Sequence, residues 1–87
     1  MKTLRTPETL EDCIGMAIRE VRRARGLTQV EFCRQFGLAH GQSSVAHWEA
    51  GDSVPPVSLP LRNPEIYVKA TEIAEKYNLL EVPVRES

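Results

Sequence analysis

Three glycines, Gly26, Gly37 and Gly51, each close a run of apolar residues at helical spacing, and they constrain this chain more than any other feature. Glycine enters the left-handed region without a Cβ penalty, so it stops a helix and lets the chain turn. Stops this close together allow only short helices over the first fifty or so residues. Ahead of Gly26, Thr6-Pro7-Glu8 has the form of a helix start, with a hydroxyl cap, a first-turn proline and an early acid. From there to Arg25, Ile14, Ala17, Ile18 and Val21 recur on one face and predict a first helix. Thr28-Gln29-Val30-Glu31 is a capping box, in which Thr28 caps the Glu31 amide and the Glu31 side chain reaches back to Thr28. It predicts a second helix that turns Leu27, Phe32, Cys33 and Phe36 inward and closes at Gly37.

After Leu38-Ala39-His40-Gly41 a third helix is predicted over about 42–50. Val45 and Trp48, one turn apart, point into the core and leave Gln42, Ser43, Ala46, His47 and Ala50 on the outer face. Pro55, Pro56 and Pro60 make Asp52 to Arg62 an extended connection. Asn63-Pro64-Glu65 restarts a helix by the same cap logic, with Ile66, Ala70, Ile73, Ala74 and Tyr77 as its apolar stripe. Leu79 to Val84 is apolar but broken by Pro83, so no helix is assigned there. The expected fold is all-α, one domain of four to five helices over 1–87. Its core lies at about 14–51, followed by a proline-rich connection at 52–63, a helix at about 64–77 and a C-terminal apolar tail at 78–87.

With 41% apolar and 26% charged residues the chain reads as globular rather than as a disordered tail. No apolar run is long enough to cross a bilayer, and no apolar core of signal-peptide length follows Met1-Lys2-Thr3-Leu4-Arg5, so no membrane association and a cytoplasmic location are expected. Cys13 and Cys33 stand apart, with no second cysteine or histidine at ligand spacing, and read as small buried apolar residues rather than as a disulfide or metal site. The net charge of −1 is unusual for a nucleic-acid binder, but its distribution is uneven. Between Ile14 and Trp48, Arg19, Arg22, Arg23, Arg25 and Arg34 face only Glu20 and Glu31. From Asp52 onward four basic residues meet six acidic ones. The positive field therefore lies on the half with the three short helices, and phosphate attraction follows local field.

Two short helices around a glycine-containing turn, the second with a polar outer face, describe a helix-turn-helix. The run from Ile14 through Gly26-Leu27-Thr28-Gln29 resembles the opening of the lambda-repressor-like family (phage repressor and Cro, Xre-like). Gln42-Ser43-Ser44-Val45-Ala46-His47-Trp48-Glu49-Ala50-Gly51 resembles its recognition helix and stop. The likeness covers about 14–51, with a weaker echo in Ile73-Ala74-Glu75-Lys76-Tyr77-Asn78-Leu79. It implies a transcriptional regulator of double-stranded DNA, acting as a homodimer that represses from a pseudo-palindromic operator. Gln29 would touch a phosphate and brace Gln42, whose amide would pair with an adenine edge. Ser43, Ser44 and His47 would also face DNA, Ala46 would meet a thymine methyl, and Arg22 would pair with Glu49 to fix helix orientation.

The chain departs from that pattern in four places. The turn after Gly37 carries two residues more than is usual, a choice of register that keeps Val45 and Trp48 inside. The alternative register would bring His40 to the Gln42 position and bury the Ser43 hydroxyl, at a cost of about 1–3 kcal/mol. Cys33 stands where a smaller residue is usual, and the 52–63 connection is longer than the family's and lacks its basic residues. The family's final helix is not evident in the tail. Blander roles also stand beside the sharp ones: Gln42, Ser43 and His47 as solvated helix surface, His40 as a loop residue, and Arg19, Arg23 and Arg25 as a solvated face rather than as phosphate contacts. Trp48 reads as core, not as a base-stacking platform.

No glycine-rich phosphate loop, paired carboxylates or nucleophile with a nearby base stands out, so neither an enzyme nor a cofactor is expected. A second reading makes the chain a protein-binding module of antitoxin or anti-activator type, with the acidic C-terminal half holding a protein partner and DNA binding weak or lost.

Overall fold

In a computed structural model that describes residues 6–38 and 41–79, five α-helices follow one another and no strand occurs among those residues. The fold is all-α. The helices are α1 (Leu10–Ala24), α2 (Gln29–Gln35), α3 (Gln42–Ala50), α4 (Ser58–Arg62) and α5 (Pro64–Lys76). His40, read above as a loop residue, and residues 80–87, most of the apolar tail, lie outside the described residues.

α1 starts one turn later than Thr6-Pro7-Glu8 suggests. Thr9 is the cap, and its hydroxyl accepts from the Asp12 amide at 3.1 Å. Glu11 and Asp12 then fall in the first turn, where acids favour the positive end of the helix dipole. Pro7 is instead buried ahead of the helix. At the other end Gly26 takes φ +70°, as its position after the last apolar turn requires. The α2 capping box is present in both directions: the Thr28 hydroxyl accepts from the Glu31 amide at 3.1 Å, and the Thr28 amide donates to Glu31 at 2.8 Å.

The 52–63 segment corrects the expectation of an extended connection, because Ser58–Arg62 is helical. Pro60 is only the third residue of α4, where its missing N–H would have found no partner in the helix anyway. Burial of Leu59, Pro60 and Pro55 anchors the segment to the core. Asn63 does not cap α5 with its side chain; it donates to the Leu59 carbonyl at 2.8 Å and ties the end of α4 to the start of α5. Pro64 takes the first helical position as expected.

α1 is the centre of the fold, packed by α3 on one side and α5 on the other, while α2 rests on α3 and α4 on α5. Arg25 pairs with Glu65, and Lys69 lies 4.0 Å from Glu20. The later residue of α1 meets the earlier residue of α5, so the two helices run antiparallel. Ile18, Ala17, Val21, Phe32, Val45, Ile66 and Ala74 form the buried centre. Cys13 is fully buried, whereas Cys33 and Phe36 pack on the edge of the core and are only half buried. Burial still pushes the Cys33 thiol up from its ordinary value, which disfavours the reactive thiolate.

Where α1 crosses α3, backbone meets backbone. A Cβ on Gly15 would stand 2.1 Å from the Trp48 carbonyl oxygen, closer than any packing adjustment of a side chain could relieve. Gly26 differs: nothing lies within 4 Å of where its Cβ would be, and only its φ resists a side chain. Gly15→Ala is therefore expected to destabilise the protein by about 3 kcal/mol, and Gly26→Ala by about 1 kcal/mol. Urea unfolding followed by Trp48 fluorescence measures both; equal losses would mean that the crossing of α1 over α3 is loose enough to open.

Candidate nucleic-acid interface

α3 is anchored along one edge and open along the other. Val45 and Trp48 are buried at 0% and 4% exposure, as expected, and Glu49 joins them on the inner edge. A helical turn of 3.6 residues then puts Gln42, Ser43, Ala46, His47 and Ala50 together on the opposite side. All are exposed except Ala46, which is half buried. Ser44 falls between the two edges and is also half buried, so it stands apart from the group that Gln42, Ser43 and His47 form. The exposure of Ser43 removes the alternative register, in which its hydroxyl would enter the core. Gly51 ends α3 at φ +86°.

The inner edge holds a buried ion pair. Arg22 Nε donates to Glu49 Oε2 at 2.9 Å and Nη2 donates to Oε1 at 3.0 Å, a bidentate arrangement with only 15% and 6% of the two side chains exposed. The remaining arm, Nη1, donates to the Leu27 carbonyl at 2.9 Å, just ahead of α2. Pairing with Glu49 outweighs burial and raises the Arg22 pKa further above the physiological range, so its charge is permanent. The pair extends outward. Gln29 Nε2 donates to Glu49 Oε1 at 3.3 Å, and Gln42 Nε2 reaches Gln29 Oε1 at 3.5 Å. Gln29, Gln42, Arg22 and Glu49 thus form one chain of contacts from the interior to the open edge.

Several features of this region were not legible in the sequence. His47 Nδ1 lies 3.4 Å from Asp52 Oδ2, which places a carboxylate beside the open edge. Its signal was the left-handed glycine between them, since Gly51 folds the following residue back toward the helix end. Arg25 is neither a free solvated cation nor turned toward α3. It pairs with Glu65, donates to Gln35 at 3.0 Å and lies 5.2 Å from the Phe36 ring centre. Arg19 and Arg23 remain exposed on α1.

A helix-turn-helix family model matches residues 18–59, from the middle of α1 through α2 and α3 to the start of α4. Comparison with curated proteins and with solved structures gives no match. The matched span contains both helices of the motif and the whole open edge of α3, and over it the chain is similar to the helix-turn-helix family.

Because the Arg22–Glu49 pair is buried, removing one partner leaves the other charge without compensation. Glu49→Ala is expected to cost about 3–5 kcal/mol, while replacing both partners by methionine costs less than either single truncation. Thermal melts of the two single variants and the double variant check this. A double variant as unstable as the sum of the singles would show that the pair has no mutual role.

Proposed function

We propose that this protein is a sequence-specific transcriptional regulator that places α3 in the major groove of double-stranded DNA. The observation that carries the reading is the division of α3: Val45 and Trp48 hold its inner edge, and Gln42, Ser43, Ala46 and His47 face outward. These side chains suit base edges, with the Gln42 amide for adenine, hydroxyl and imidazole groups for hydrogen bonds, and a methyl for thymine. The helix-turn-helix match over 18–59 supports the same class. In this reading the protein acts in the cytoplasm as a repressor of the lambda-repressor-like kind and carries out no catalysis. Two copies set their α3 helices in successive grooves about 34 Å apart and read a pseudo-palindrome. The exposed apolar residues Val54, Val57 and Leu61, soon after α3, favour a second copy as part of the working unit.

A protein-binding role for the C-terminal half is the second reading. It is favoured by Tyr67 and Val68, which are 54% and 52% exposed on α5 near Glu72 and Glu75. Apolar side chains left open beside acids suit a partner with an apolar, basic surface.

A mobility shift on the DNA upstream of the protein's own gene separates the two. Gln42→Ala and Ser43→Ala are each expected to weaken binding to a specific site about tenfold or more, with little change in non-specific binding. Specific binding unaffected by both would remove α3 from the interface, and a protein partner bound without DNA would favour the second reading. Asp52→Asn provides an independent electrostatic check. Removing a carboxylate beside the groove-facing edge should tighten binding at low salt by about two- to fivefold, and less at high salt. No gain at low salt would put the phosphates elsewhere.

A further inference from the structure

We propose that Asp52, just beyond the end of α3, fixes the hydrogen-bonding sense of His47, so that the base His47 prefers changes with its protonation. The inference rests on the role proposed above for α3 and names what sets its choice at one base pair. An unbraced neutral imidazole carries its proton on either ring nitrogen, and so offers the groove a donor or an acceptor. His47 is 57% exposed on the outer edge and has that freedom unless a neighbour removes it.

The end of α3 places that neighbour. Gly51 donates its amide to the Trp48 carbonyl at 3.2 Å, and Asp52 donates its own to the His47 carbonyl at 2.9 Å. This pair of bonds is the closure that a left-handed glycine allows, and it carries Asp52 back beside His47. The Asp52 carboxylate then stands with Oδ2 3.4 Å from His47 Nδ1. Among the described residues it is the only charged group paired with His47. Of the helices packed on α3, α1 turns Arg22 to the inner edge, where Glu49 holds it. α2 carries Glu31, which the Thr28 amide engages, and the exposed Arg34, and neither pairs with His47.

An ionised carboxylate accepts hydrogen bonds and donates none, so the ring nitrogen beside it carries a proton. His47 Nδ1 therefore donates to Asp52 whether the ring is neutral or charged, and only Nε2 changes. In the neutral ring Nε2 is an acceptor; in the charged ring it is a donor. Nε2 is also the nitrogen left for the groove. Adenine N6 and cytosine N4 are donors that suit an acceptor, whereas guanine offers two acceptors, N7 and O6, to a donor. Imidazoles change charge between about pH 5 and 8, so guanine is favoured at the acid end and adenine or cytosine at the alkaline end. Asp52 touches no base and is a positioning residue. Loss of its charge changes the affinity for every sequence by one factor, whereas loss of the pairing removes the pH dependence of a single base choice.

The test uses the full chain and a randomised duplex pool. Sequences enriched by the wild-type protein define a site, and the position whose preference disappears in His47→Ala is the one His47 reads. Affinities for all four base pairs at that position are then measured at about pH 5.5 and about pH 8. In the wild type the preference for guanine over the better of adenine and cytosine should rise about fivefold or more toward acid pH. Asp52→Asn keeps the backbone amide that closes α3, but its side chain can donate to Nδ1 or accept from it. The neutral ring can then hold its proton on Nε2, so the same preference should change by less than about twofold, with a melting temperature within a few degrees of wild type. This ratio between bases is independent of the overall tightening expected of that variant at low salt. A wild-type preference that does not move with pH, a guanine preference that rises toward alkaline pH, an equal swing in Asp52→Asn, or no position that depends on His47 overturns the proposal and leaves the DNA-reading role intact. Failure of the wild-type protein to enrich any sequence overturns that role itself, and the proposal with it.

Discussion

The close approach of α1 to α3 is the constraint on which the rest depends. α3 has nine residues, too few to be stable as an isolated helix, so its position is set by what grips its inner edge. Gly15 lets the α1 backbone reach the Trp48 carbonyl, and this proximity seats Val45 and Trp48 in the core with Ile18 and Ala17. Any side chain at position 15 would lift α3 away from α1. The outer edge would then lose its definition, because the geometry of that edge is the inner edge seen from the other side.

Apolar packing fixes distance better than it fixes angle, and the Arg22–Glu49 pair supplies the angle. A guanidinium bound at both nitrogens to one carboxylate tolerates little rotation, and its third arm on the Leu27 carbonyl brings the lead into α2 under the same control. Desolvation offsets much of the attraction, so the pair contributes more to orientation than to net stability. Arg25 does similar work farther out, joining the end of α1 to α2 through Gln35 and Phe36 and to α5 through Glu65. Two arginines on successive turns of one helix thus register three other helices against it.

The sequence was most informative where a residue's role is local. Glycine stops, the Thr28 capping box and the apolar spacing of Val45 and Trp48 are each decided within a few positions of the chain, and α2 and α3 stand where those signals put them. The α1 start was misplaced because two hydroxyl residues, Thr6 and Thr9, both precede acids, and burial of Pro7 decides between them. Three prolines between Asp52 and Arg62 mask α4 in the sequence, because a proline breaks a helix only beyond its first turn; Pro60 is harmless as the third residue of a helix whose Leu59 is buried. The Arg22–Glu49 contact came from family resemblance, and no local pattern would have found it. Gly15 and the Arg25–Glu65 pair join residues far apart in sequence or depend on a helix crossing, and neither leaves a local trace.

Charge placement sets a further condition on the DNA reading. Of the five arginines between Ile14 and Trp48, Arg22 and Arg25 are already bound to carboxylates of the same chain, leaving Arg19, Arg23 and Arg34 exposed. The outer edge of α3 carries no lysine or arginine, and Asp52 stands beside His47. One copy therefore brings little positive field to the groove, and phosphate attraction supplies most of the affinity of a typical DNA-binding domain. A reading head of this kind is selective before it is tight. If two copies bind as proposed, the base contacts of each would gain from those of the other on the next groove, since the two sets would act through one bound complex. On this reading, pairing of protomers is the step that turns a neutral, well-oriented helix into an effective ligand for DNA.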